Sequence, residues 1–491
     1  MEPIGTITNY LKFISDEEKN VVSDIQESAM NYDDFARELA EYVCNSECSD
    51  ELVFLAAKHA LDTFNLRHLE RISNIHKDCV LSRYYFMLIK AMITGQMNNE
   101  VLADTIDSTL NQHPPNWIAL ELLRHQFPIV EKQSKREGIL QRVEAIVKND
   151  ESARCFSMVL PYLRAWDNFK GGDLEATKRC FQFAVSEARK NDNPRFGADS
   201  LVLSAMGDID VVEEAKQLCD FLGTTDRHWS LWQLLGTYYE GNGEYDAAVL
   251  AYHKTIEAFE LSHPLASRRH LPHILSRAYL MSGDPQSALE WANFALEADP
   301  IVSWNIPNAG PIMAHLRKAL ALLSLGRADE AVPHIDKGRE LALTAGLERQ
   351  LAELHVAEGL LDYWYGDVLN AIKQLEDALS VFKQHEHKPY TNMCLYQLAR
   401  IEVENYEELK ELQEPGDKSW LEEMRLYSLE NECPGIHGLT LLLEAQLRIR
   451  EGSFLEASAI LEEANEFAVK PSMKFLRTQI ETLRADMEAK C

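Results

Sequence analysis

Apolar residues recur along most of the chain at three- and four-residue spacing, the period that gathers them on one face of an α-helix. The helical pattern breaks at glycine. A glycine followed five residues later by an alanine occurs as Gly171/Ala176, Gly243/Ala248, Gly283/Ala288, Gly326/Ala331, Gly366/Ala371 and Gly452/Ala457, each pair between two helical segments. The glycine suits the turn after a first helix, where a positive φ is best met by a residue without Cβ. The alanine falls inside the second helix, where anything larger than methyl would hold the two helices of a hairpin apart.

The spacing of these alanines sets a repeat. Ala248 to Ala288 is 40 residues, Ala288 to Ala331 is 43, Ala331 to Ala371 is 40, and Ala371 to Ala457 is 86, twice 43. The last interval hides a unit, expected as helices over Thr391–Asn405 and Lys418–Leu429 around the loop Glu414-Pro415-Gly416-Asp417. Another unit fits around Gly207-Asp208 and Ala215, which makes about eight from residue 150 onward.

The clearest unit reads Trp232-Gln-Leu-Leu235-Gly236-Thr-Tyr-Tyr239, followed by Ala248 and Tyr252. It resembles the tetratricopeptide-repeat family, whose W-x2-L-G-x2-Y and A-x3-aromatic pattern it meets residue for residue. Partial matches continue at Tyr279, Ala288, Ala295 and Pro300, at Gly359, Ala371, Leu375 and Ala378, and at Ala457, Leu461 and Ala464. The resemblance implies an all-α fold, an α-solenoid of antiparallel helical hairpins in a right-handed superhelix, each unit touching mainly its neighbours and the first helices facing a concave groove. The pitch departs from the usual 34 residues of the family toward about 40, a longer form that resembles arrays in prokaryotic signalling and regulator sensor regions.

The expected organisation is an amino-terminal helical cap over residues 1–48, diverged helical hairpins over 49–150, the repeat array over 151–470 and a capping helix over 471–491. Glu51–Phe64 and Leu81–Ile93 carry the helical spacing in the second of these, and Gly95 followed by Pro114-Pro115 imitates a repeat ending. Asp33–Val43 is amphipathic, but its acidic flanks argue against a DNA-recognition helix.

Composition changes this picture little. The chain of 491 residues is 46% hydrophobic and 26% charged, with 22 Gly and 17 Pro, which suits a folded protein too long for one compact core. A net charge of −29 repels phosphate backbones, so no nucleic-acid partner is expected; the same charge favours solubility and basic partners, and solubility alone explains most acidic chains. Nine scattered cysteines form no disulfide framework, and Met1–Lys12 has no basic region followed by an apolar run; no stretch of 18 apolar residues occurs. A cytoplasmic protein without membrane spans is the expectation.

Candidate chemistry is sparse. There is no P-loop, no G-x-G-x2-G after a strand and no H-E-x2-H, so no catalytic residue, cofactor or metal is expected. Cys44 and Cys48 lack a second pair at zinc-site spacing, and His270 with His273, one helical turn apart, lacks a third ligand. One basic island stands out: Arg268, Arg269, His270, His273 and Arg277 lead into the first helix of one unit, and Arg317 and Lys318 lie in the first helix of the next. Aligned on the family pattern, His270, His273 and Arg277 take positions two, five and nine of a first helix and Arg317 position six, the face that lines the groove. Relatives that grip chaperone tails use lysines and asparagines at such positions, so the expected ligand is more general: an acidic peptide or a terminal carboxylate. The simpler and preferred reading is that these cations pair with neighbouring acids such as Glu257, Glu260 or Glu290 and merely neutralise a surface. Two aromatics join the candidates, Tyr363 at groove position twelve and Trp304 in the connection Pro300–Pro311.

The reading is a non-enzymatic interaction scaffold binding a peptide or partner protein. The alternative is the sensor or effector-binding part of a signalling or transcriptional system that acts through a separate output protein.

Overall fold

The computed structural model describes residues 14–63, 65–94, 99–130, 133–170, 174–191, 193–205, 209–222, 228–262, 271–297, 309–345, 348–385, 387–412, 419–470 and 473–490. Among them the chain is all-α, 26 α-helices and a short 3-10 helix with no strand. From Val159 onward the helices form eight successive antiparallel pairs, ending with Pro434–Arg450 and Phe454–Phe467, and the helix Lys474–Lys490 follows. The hairpins repeat, and the repeat signals act as their chemistry requires. Gly243, Gly283, Gly326, Gly366 and Gly452 all take φ between 74° and 87°, and Ala248, Ala288, Ala331, Ala371 and Ala457 are fully buried. Gly171 and the Gly207-Asp208 turn lie outside the described residues.

The family pattern has a direct packing cause in its clearest unit. Gly236 lies in the helix His228–Gly241, and the Tyr252 ring from the helix Tyr245–Ser262 lies over it; a Cβ there would come within 2.3 Å of that ring. In a later hairpin a Cβ on Gly359 would stand 3.0 Å from the carbonyl oxygen of Ala371, so glycine and alanine together set the close approach of Glu348–Trp364 and Val368–Gln384.

The unit inferred from the double interval is present, as the helices Lys388–Glu404 and Trp420–Glu430. An additional helix, Tyr406–Leu412, sits between them, and the loop Glu414–Asp417 lies outside the described residues. Its seven residues carry three glutamates and a lysine around two leucines, too few apolar positions for the sequence pattern to separate it from a loop. In the amino-terminal region, Asp16–Ser28 opens with a capping box from Ser15 and Glu18, and Glu18 also accepts hydrogen bonds from the backbone N–H and hydroxyl of Ser49.

Contacts divide the chain into two units, Met1–Leu234 with Thr255–Ser267, and Leu235–Lys254 with Arg268–Cys491. The first unit holds one continuous core, in which Phe54, Tyr85 and Trp117 pack ring against ring.

The second unit departs from the neighbour-only expectation. Gly435 donates its N–H to the carbonyl oxygen of Asn242 at 3.0 Å, and Asn392 donates its side-chain amide to that of Gly241 at 2.8 Å, although 193 and 151 residues separate the partners. Phe475 N–H reaches the Asp246 carboxylate at 3.1 Å, and the Phe475 ring covers Gly283. The first hairpin of this unit therefore lies against the fifth and sixth, and against the helix after them. The contact is favourable in kind: the carbonyl end of one helix meets the amino end of Pro434–Arg450, each satisfying groups that the other's terminus leaves open.

Candidate functional site

The inner face of the second unit is built by the repeat itself. Five successive first helices each contribute a polar residue about one repeat after the last: Glu240, Arg277, Arg317, Glu353 and Tyr390. All five are buried, Arg317, Glu353 and Tyr390 completely. Each stands about one helical turn nearer the start of its helix than the one before, 3, 6, 9 and 13 residues ahead of Gly243, Gly283, Gly326 and Gly366 for the first four, and this regular step brings residues from five helices to one place.

Glu240 takes both available forks of Arg277, Nη2 donating to Oε2 at 2.6 Å and Nε to Oε1, while the Tyr252 hydroxyl donates to Oε2 at 2.8 Å. Arg277 Nη1 donates to the Tyr390 hydroxyl oxygen at 2.9 Å. Arg317 Nη2 donates to the same oxygen and to Glu353 Oε2 at 2.9 Å. Arg349, 43% exposed at its side chain, brings Nε to 3.5 Å from Glu353 Oε1. The guanidinium carbons of Arg277, Arg317 and Arg349 stand 4.9, 5.5 and 5.7 Å from the centre of the Tyr390 ring, which stacks on Phe382. Burial works against the charge of Arg277, but Glu240, then Tyr390 and Tyr252, hold its pKa well above the ordinary value. Burial and the neighbouring arginines Arg349, Arg277 and Arg317 push His387 down to about 2, so that ring is neutral.

Three arginines thus meet two carboxylates. Arg317 Nε and Nη1, both buried, have no hydrogen-bond partner among the described residues. The first unit offers an internal comparison. There Lys58, Arg124 and Arg195 meet Asp62, Glu121 and Asp199, three against three. Arg195 also donates to the carbonyl oxygen of Asp62 at 2.7 Å. Burial pushes the Asp62 carboxyl up, yet Lys58, Arg124 and Arg195 together hold it far below the carboxylate range. Both buried sets pair cation with carboxylate one to one; the second adds a further cation, Arg349, at its exposed margin.

Arg277 and Arg317 come together in this cluster, paired with Glu240 and Glu353 and not with Glu257, Glu260 or Glu290, which lie on second helices. His273 and Lys318 are half-buried outside it. Arg268, Arg269, His270 and Trp304 lie outside the described residues. Tyr363 is half-buried, its hydroxyl donating to Glu404 at 2.5 Å and accepting from Asn405 at 3.1 Å. Glu240, Arg349, Glu353 and Tyr390 were not singled out from sequence. The signal that finds Glu240, Glu353 and Tyr390 is a charged or phenolic residue 36 to 40 positions from the last along one chain of first helices; Arg349 falls outside that spacing.

Among the described residues no group of three His, Cys, Asp or Glu side chains could hold a metal ion, and no helix is long and apolar enough to cross a membrane.

No family model matches the chain, and no curated protein matches it. Solved structures similar to it include a Rap protein complexed with competence and sporulation factor, at 12% identity, TM-score 0.42, 79% of this chain and 100% of that one. A human IFIT1 dimer with PPP-AAAA is similar at 14% identity, TM-score 0.40, 91% of this chain and 100% of that one. The Cut9-Hcn1 hetero-tetramer of APC/C is similar at 14% identity, TM-score 0.39, 84% and 76%. At these values the likeness carries no inference about ligand or activity.

Proposed function

We propose that the chain is a non-enzymatic interaction scaffold whose second unit recognises an acidic group of a peptide or partner protein on its inner face. The observation that carries this reading is Arg317: a completely buried guanidinium with two nitrogens, Nε and Nη1, unmet among the described residues, in a cluster that a third, exposed arginine borders. A buried cation left short of acceptors is costly, and a carboxylate would supply the missing acceptors. Arginine suits that task because its planar fork matches carboxylate geometry. Arg349, exposed at the margin, offers the first contact for an incoming acid.

The test is fluorescence anisotropy with a labelled acidic peptide, as a free carboxylate and as its carboxy-terminal amide, against wild type and the paired variant Arg317→Met with Glu353→Leu. This pair removes both charges together and keeps the interior filled, so it is expected to stay folded. The reading requires salt-sensitive binding to wild type and its loss in the folded variant. Equal binding by both proteins would place recognition elsewhere.

The meeting of distant hairpins in the second unit also favours the sensor reading, in which a ligand shifts the array between two arrangements and a separate protein supplies the output.

A further inference from the structure

The turn Gly241-Asn242-Gly243 and the arginine cluster share the same two helix ends. On one side Glu240 immediately precedes the turn. On the other, Lys388 and Asn392 flank Tyr390: Lys388 Nζ donates to Asn242 Oδ1 at 3.2 Å and Asn392 to the Gly241 carbonyl oxygen. Gly435 closes the third side with its N–H on Asn242, and the two glycine backbones pack so closely that a Cβ on Gly435 would lie 2.5 Å from the Gly243 oxygen. The clasp consists of hydrogen bonds and a glycine contact. Glu240 and Arg277 are joined by the fork that arginine presents to any carboxylate.

From this juxtaposition we infer that Glu240 is a built-in competitor for the acidic ligand, and that an incoming carboxylate binds Arg277 and Arg317 by displacing Glu240 as the turn 241–243 leaves its clasp. The inference rests on the reading of the arginine cluster as an acid-binding site. Withdrawing the turn takes Glu240 with it and leaves Arg277, Arg317 and Arg349 facing Glu353. Such an excess of buried cation is unfavourable until an outside acid replaces what has left. Clasp and ligand therefore exclude one another, and each weakens the other by the same factor. The device is autoinhibitory: the closed arrangement supplies its own carboxylate, and the open one needs a partner's.

Two variants separate the parts of the mechanism. Asn392→Ala removes a hydrogen bond to the turn without altering any charge in the cluster. Glu240→Gln keeps the shape of the competitor and removes its charge. With a fluorescein-labelled polyglutamate peptide as the probe, both variants are expected to bind about tenfold more tightly than wild type, within the usual span of coupling between two sites. Hydrogen exchange followed by mass spectrometry should show faster exchange over residues 240–246 in Asn392→Ala without probe, and in wild type only when probe is added. Circular dichroism establishes that each protein is helical, and Asn392→Ala decides the matter if Glu240→Gln does not fold. Binding of the probe by wild type with no gain in a folded Asn392→Ala would overturn the competitor and leave the acid-binding reading standing. Absence of binding by wild type and by both folded variants would overturn that reading, and the inference with it.

Discussion

Tyr390 accepts hydrogen bonds from both Arg277 and Arg317, so one phenol oxygen joins side chains that two successive hairpins contribute. Its ring is stacked on Phe382, and its burial is complete. The hydroxyl is the hub of the inner face because it is the acceptor that two cations share. Tyr390→Phe should therefore leave the helix content unchanged and cost about 1–3 kcal/mol of unfolding free energy, the usual penalty for stranding buried donors. Urea denaturation followed by circular dichroism measures it, and a neutral result would show that the arginines re-pair without it.

Glu353 and Arg317 should respond differently to single and double replacement. Glu353→Leu alone strands a completely buried guanidinium and is expected to cost about 3–5 kcal/mol, whereas Arg317→Met with Glu353→Leu should cost far less or nothing. A double-mutant cycle reads the difference, and additive losses would argue that the two side chains do not act as a pair.

Two glycines test two different demands of the repeat. Gly366 has φ +87° and open space where a Cβ would project, so Gly366→Ala should cost about 1–2 kcal/mol through backbone conformation alone and Gly366→Asn less. At Gly236 the obstacle is the Tyr252 ring. Gly236→Ala should cost about 1–3 kcal/mol from overpacking. In a Tyr252→Ala background the same change should cost nothing. Thermal melts of these variants, with wild type and Tyr252→Ala as their references, give the comparison.

Acid should destabilise the first unit through His59. The ring is fully buried against Tyr32 and Phe35, and burial, with Lys58 second, pushes its pKa down to about 3. In the unfolded chain it titrates near 6.5, so between those values the unfolded state binds the extra proton and stability falls as pH drops. The contribution is fully present above pH 6.5. His59→Gln should flatten the slope of unfolding free energy by about 1.4 kcal/mol per pH unit between pH 4 and 6, measured by urea titration at several pH values.

The hairpins were legible because their signals are local. A glycine at a turn and an alanine at a helix crossing announce themselves within six residues, and the five described glycines of the pattern all adopt the positive φ their role requires. The inner cluster was legible in part. Arg277 and Arg317 stood out as cations in an acidic chain. Their carboxylates did not, because Glu240 and Glu353 are two among 78 acidic residues and only register across repeats sets them apart. The nearer acids Glu257, Glu260 and Glu290 were the obvious partners by distance in sequence, but they ride on second helices. The clasp on the turn 241–243 could not be read, since the meeting of hairpins over 150 residues apart depends on the curvature summed over every unit between them.

The most direct test of the account is the 15N Nε–H resonance of Arg317, assigned by comparison with Arg317→Met in arginine-labelled protein. Buried guanidinium protons exchange slowly enough to be observed, and this one has no acceptor among the described residues. On titration with the acidic peptide the account predicts a saturable shift of that resonance, matched by Arg277 and absent with a neutral peptide of equal length. A resonance that stays in place while the peptide binds would contradict the claim that the inner arginines receive the acid.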